Sequence, residues 1–379
     1  MNRIQNILIP IAVLLMVAAG CSHESDTPLT PGTQAVNFTA TEITSMTSTR
    51  VLPDGTVFDD GESFGVTAFT SSDGLLSGIG LPDVLYNAKV EKYTSTGAPG
   101  YRYMPTAFWP TDGTKVMFAA YYPHNTTVAS EAITVSPQYD AGLPEYIVIL
   151  GKHKSRLDFA TAEVGPIHRT FTAIDGTNPP GDLLNDPAET PIRKSNNVNF
   201  RFKRQMTYLS FRAKALNLPA DYRLYINAIM VRNTNNRGTY GTTNPATGAR
   251  GWKDLEVDAT TGATLNVSTL NAPISKTQFT DIIDPEATSG TLATIVMIPQ
   301  KYDAVEILMY YTLEYLKSTG GSENYVVGMQ NTSVTVDWKP GEHYVYDFEL
   351  AFSDVLDERV PFRFTVKGWT KYTTVDTGM

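Results

Sequence analysis

Cysteine is almost absent from this chain: Cys21 stands alone among 379 residues. That excludes an internal disulfide and a cysteine-rich metal site, and everything beyond residue 21 lacks a thiol. Basic charge is scarce as well. Thirty Lys and Arg face 39 Asp and Glu, a formal net charge of −9, so no cationic surplus exists to neutralise phosphates and a nucleic-acid partner is excluded. The five histidines are His23, His124, His153, His168 and His343. None has the H-x-x-x-H spacing of paired metal ligands, so they read as isolated surface side chains, and no metal or other cofactor is expected. No apolar run reaches the roughly 20 residues that span a bilayer core. Internal repeats, a P-loop, a dinucleotide fingerprint and a calcium loop are all lacking.

One string does spell a catalytic motif. Gly61-Glu62-Ser63-Phe64-Gly65 matches G-x-S-x-G, but a nucleophile elbow needs a strand before it and a helix after it. Here DGTVFDD reads as a turn and VTAFTSS alternates as a strand, so Ser63 is a chance match. No catalytic residue is identified, and the chain does not read as an enzyme.

What is present begins with an address. Arg3 precedes an apolar run over residues 7–19 (ILIPIAVLLMVAA), then Gly20 and Cys21. The run has the length of a signal-peptide core, and Ala18, Ala19 and Gly20 supply the small side chains that a signal peptidase requires. The arrangement resembles the bacterial lipobox, which predicts cleavage between Gly20 and Cys21 and acylation of Cys21, with residues 1–20 as the signal. Residues 21–33 are polar, carry Pro28 and Pro31, and read as a flexible tether. Their acids, Glu24 and Asp26, resemble the signal that sends some lipoproteins to the outer face of the outer membrane.

Beyond the tether, apolar residues alternate with polar ones. Val36, Phe38 and Ala40 do so, as do Phe362, Phe364 and Val366, and Val116, Phe118 and Ala120 share one face of a further run. The longest runs are Val305, Ile307, Met309, Tyr311, Leu313 and Tyr315, and Tyr344, Tyr346, Phe348, Leu350 and Phe352. A period of two marks half-buried strands, and with turns rich in Gly, Pro, Asn and Asp it predicts an all-β chain of antiparallel β-sandwiches. Only residues 270–283 could hold a helix of some length. Alternation stops in residues 178–197, which contain Pro179, Pro180, Pro187 and Pro191. That places a boundary there, with an N-terminal domain at 33–185 and a C-terminal domain at 195–379.

Several strings together resemble the fimbrillin, or Mfa-like, family of lipoproteins of Gram-negative anaerobes. They are VNFTATEI followed by STR, DDGESFGVTAF, the segment 103–123 (YMPTAFWPTDGTKVMFAAYYP) and RLDFATAE. Later come VNFRFKRQMTYLSFRA, TIVMIPQ, VDWKPGEHYVYDFEL and FTVKGWT. Arg204 departs from the pattern, standing where the family often has histidine. The resemblance implies two transthyretin-like β-sandwich domains in tandem and a role as a structural subunit of surface fimbriae used in adhesion. It also implies export as a lipoprotein to the outer membrane and a trypsin-like cut after an arginine that follows the first strand. Here that cut would fall between Arg50 and Val51; an ordinary loop arginine is the competing reading. Removing the first strand would open a groove that a strand of another fimbrial subunit fills. Stalk, tip and anchor roles stay open, as does a receptor on a host or bacterial surface. A surface glycan-binding lipoprotein is the alternative, with Trp252, beside Gly251 and the polar loop GTTNPATGARG, as the aromatic placed to stack on a sugar.

Overall fold

The computed structural model describes residues 35–42, 58, 60–71, 82–95, 98–110, 114–124, 127–128, 131–136, 143–151, 157–167, 197–257, 265–268, 273–282, 294–352 and 362–372. All regular structure among them is strand. The first nine are β1 (Asn37–Glu42), β2 (Ser63–Ser71), β3 (Leu85–Ser95), β4 (Ala98–Tyr103), β5 (Lys115–Tyr122), β6 (Thr127–Val128), β7 (Glu131–Val135), β8 (Tyr146–Ile149) and β9 (Ala160–Ile167). Then follow β10 (Asn197–Arg204), β11 (Thr207–Leu216), β12 (Tyr222–Arg232), β13 (Arg237–Asn244), β14 (Ala249–Glu256), β15 (Leu265–Ser268) and β16 (Thr280–Asp281). The last are β17 (Thr294–Met297), β18 (Lys301–Leu316), β19 (Ser322–Asp337), β20 (His343–Phe352) and β21 (Phe362–Tyr372).

The helix expected over residues 270–283 is not found in its described part, 273–282, which holds bends and β16. Side-chain oxygens take the amides a helix would need. Ser275 Oγ accepts from the Thr277 and Gln278 N–H groups at 3.2 and 3.3 Å, and Thr280 Oγ1 accepts from Ser275 N–H at 2.8 Å.

Four sheets form. The largest runs β1-β10-β9-β5-β2-β3-β4, and a second runs β14-β13-β8-β7-β6. The other two, β16-β11-β20-β21 (with β17 also on β11) and β15-β12-β18-β19, face each other as a sandwich. Its filling comes from the alternation: Val305, Ile307, Met309, Tyr311 and Leu313 of β18 meet Tyr344, Tyr346, Phe348, Leu350 and Phe352 of β20. The seven-stranded sheet curls around its own core, which includes Phe38, Phe64, Val66, Val90, Phe118, Phe200 and Phe202. A third cluster, with Tyr121, Tyr146, Phe159, Tyr208, Tyr240 and Ile298, packs β8 and β13 against the outer faces of both halves.

The chain is all-β, as expected, and most of its strand pairs are antiparallel. Pairing is not wholly antiparallel: β1 runs parallel to β10 and β11 runs parallel to β20. A parallel pair needs a long return connection, and here Thr39 and Asn199, joined side chain to side chain, are 160 positions apart. Strands on either side of residues 185–195 share sheets. The strand β10 lies between β1 and β9, and the hairpin β13–β14 extends the sheet of β8, so segments assigned to the C-terminal domain complete sheets of the first half. The proline-rich stretch interrupts alternation locally, whereas strand pairing is decided by partners distant in the chain.

Only Gln205 and Met206 separate β10 from β11, and this junction is locked by polar contacts. Arg204 Nε donates to Asp158 Oδ2 at 3.0 Å with both groups buried, and the Tyr208 hydroxyl donates to the same carboxylate. Burial pushes the Asp158 carboxyl above its usual range against the opposing pull of Arg204. Gln205 Nε2 donates to Thr161 Oγ1 at 3.0 Å.

Candidate functional site: a rim strand and its bed

The strand β1 forms one edge of the seven-stranded sheet. Its side chains follow the sequence pattern, with Val36, Phe38 and Ala40 turned inward at 1%, 4% and 3% exposure and Asn37 exposed. The Phe38 ring sits edge-on to Tyr103 at 4.8 Å, stacks on Phe200 at 5.6 Å and meets Phe118 edge-on at 6.0 Å. On one flank, β1 pairs with β10 in the register Asn37↔Asn197 to Glu42↔Phe202. Val198, Phe200 and Phe202 of β10 thus floor a bed that β1 fills.

The other flank is made differently. The sheet curls until β4, its opposite edge, approaches β1. The Tyr103 hydroxyl donates to the Val36 carbonyl at 2.5 Å and the Tyr101 hydroxyl donates to the Ala40 carbonyl at 3.4 Å. Val36 N–H donates to the Ala107 carbonyl at 2.9 Å, and a one-residue bridge joins Ala35 to Phe108. Because backbone polar groups alternate sides along a strand, residues 36, 38 and 40 turn their amides and carbonyls toward this flank. Burial raises both phenols above their ordinary value, which keeps them hydrogen-bond donors at neutral pH.

Phe58 adds a further wall. It is buried, with ring centroids 4.9 Å from Tyr122, 5.5 Å from Phe64 and 5.5 Å from Phe202. In the chain it lies after Arg50, so a cut there leaves this wall with the rest of the molecule. Seating the Val36 and Phe38 side chains in the bed is worth about 1.5–3 kcal/mol each.

Gly20, Cys21, Arg50 and Val51 lie outside the described residues. Ser63 opens β2 directly after a turn at residues 60–61, with strand and no helix following. Trp252 lies in β14 with its ring half-buried, edge-on to Phe159 and Tyr240 at 5.7 Å each, and its indole N–H donates to the Gln205 carbonyl at 2.8 Å. His343, expected at the surface, is buried at 8% exposure. It opens β20 opposite Tyr208, where Ser210 Oγ lies 2.9 Å from its Nε2 and meets the need of a buried ring nitrogen. Among the described residues, no group of three His, Cys, Asp or Glu could hold a metal ion. Sequence reasoning does not mark Tyr101 and Tyr103. The Tyr-Arg-Tyr spacing puts both on one face of β4, yet nothing in it shows which carbonyls lie opposite.

A fimbrillin-like family model matches residues 49–171 and 181–369, a span that begins after β1. No curated protein matches the chain in sequence. Among solved structures, a fimbrial protein from Bacteroides vulgatus is similar at 17% identity and a TM-score of 0.48, over 81% of this chain and 93% of that one. The fimbrial anchor protein Mfa2 from Porphyromonas gingivalis is similar at 11% identity and a TM-score of 0.33, over 89% and 96%.

Proposed function

The chain belongs to the fimbrillin-like family, and on that premise we propose that it is a structural subunit of surface fimbriae that joins its neighbours by strand exchange. It is exported under residues 1–20, cut between Gly20 and Cys21, and held at the outer membrane through acylated Cys21. A trypsin-like cut between Arg50 and Val51 then frees β1. The emptied bed accepts a strand of the next subunit, and because the contact is head-to-tail it extends into a filament instead of closing.

The observation that supports this reading is the position of β1. It lies at the rim of its sheet, so its departure breaks one ladder and leaves the interior order of the sheet intact. A strand held in the sheet's middle could not leave without splitting it.

The N-terminal residue of protein recovered from the cell surface tests the reading. Val51 identifies an assembled subunit, and such material runs as a ladder on an unheated denaturing gel. Arg50→Ala abolishes the ladder. Acylated Cys21 on all of the surface protein identifies an anchor that keeps both its lipid and β1. Protein cut at Arg50 that stays monomeric overturns the exchange.

A further inference from the structure

Resting on that reading of β1 as an exchangeable strand, we propose that the bed grips its occupant by main chain from both flanks, with Tyr101 and Tyr103 as hydroxyl clips. The partner it fits is an extended segment carrying an aliphatic, an aromatic and a small residue at alternate positions.

The two flanks supply different kinds of recognition. The β10 ladder bonds to the backbone of any extended segment. The tyrosine hydroxyls also bind carbonyls, those of Val36 and Ala40, and so read spacing along a strand and not side-chain identity. Side-chain choice is confined to the three inward positions. Val36 and Ala40 are enclosed, and the ring of Phe38 is held among Tyr103, Phe200 and Phe118. Ala40 is enclosed at 3% exposure and its carbonyl takes the Tyr101 hydroxyl, so a larger residue there would have no room without shifting the strand. Asn37 faces outward and is free to vary.

Hydrogen exchange on the uncut full chain tests the clips without any cleavage. Tyr103→Phe keeps the ring that packs on Phe38 and removes only the hydroxyl, which also accepts from Ala107 N–H at 3.2 Å. We expect it to speed exchange of the β1 amides about fivefold while the β2–β5 amides stay unchanged; equal protection in the two proteins overturns the clips. Chain cut after Arg50 is then titrated with the synthetic peptide of residues 34–43. Asn37→Ser in the peptide should leave affinity within about twofold, whereas Phe38→Ser should lower it on the order of a hundredfold. Tyr101→Phe/Tyr103→Phe in the protein should weaken the parent and Asn37→Ser peptides by one common factor. If the parent peptide binds but Phe38→Ser binds as well, the pattern is wrong and the exchange reading stands. If even the parent peptide fails to bind, both fall.

Discussion

At His343 the ring is desolvated, and burial pushes the imidazole down to about 4 from its ordinary 6.5. A histidine whose folded value is depressed supports the fold fully above pH 6.5, and that support drains away as pH falls toward 4. Between pH 7 and pH 5 the loss amounts to about 2 kcal/mol. His343→Gln keeps a polar partner for Ser210 and cannot take up the proton, so its urea midpoint should fall less over that interval than the wild-type midpoint. Equal slopes would refute the assignment. Burial of this kind was not legible in the sequence, because a histidine heading an alternating run looks the same whether its neighbour is water or Ser210. Tyr344, Tyr346, Phe348 and Leu350 behind it were legible, since their spacing alone puts them on one face. Arg204 is similar: its sequence position showed a departure from the family pattern, and only the fold shows that Asp158 receives its charge.

Among the elements, alternation identified strands but not their partners. The register pairs Gly65 with Tyr121 and Gly328 with Tyr311, and in each the tyrosine ring lies over the glycine so closely that a Cβ would collide with it. Such pairs let a bulky ring fold down across a neighbouring strand. Gly328→Val should cost about 1–3 kcal/mol in urea unfolding, and most of that cost should vanish in a Tyr311→Ala background. A full cost in both backgrounds would mean that the ring is not what excludes the side chain. The same non-locality explains the helix expected at 270–283. Its apolar spacing is genuine, with Ile274 and Ile282 buried, but those residues serve as contacts for β11 and β12. β5 departs from the half-buried strand expected of Val116, Phe118 and Ala120: it is buried on both faces from Val116 to Tyr121, because Met117, Ala119 and Tyr121 between and after them are apolar too.

For the whole molecule, the all-β class was legible, but alternation does not say which strands of the two halves share a sheet. Since β10 and the hairpin β13–β14 complete sheets begun by β1, β8 and β9, a fragment of residues 195–379 should not hold its native form. Limited proteolysis of that fragment should cut within residues 197–204 and 237–256 and spare β11, β12 and β18 to β20. Protection of residues 197–204 and 237–256 would favour two independent domains that part at residues 185–195. The parallel seat of β1 on β10 has a temporal side too. Synthesis delivers the N-terminus first, so the segment that closes the rim emerges some 160 residues before the strand it must lie against. Until residues 197–204 have been made, β1 has no native ladder to join, so the rim is the last part of this sheet that the chain can close.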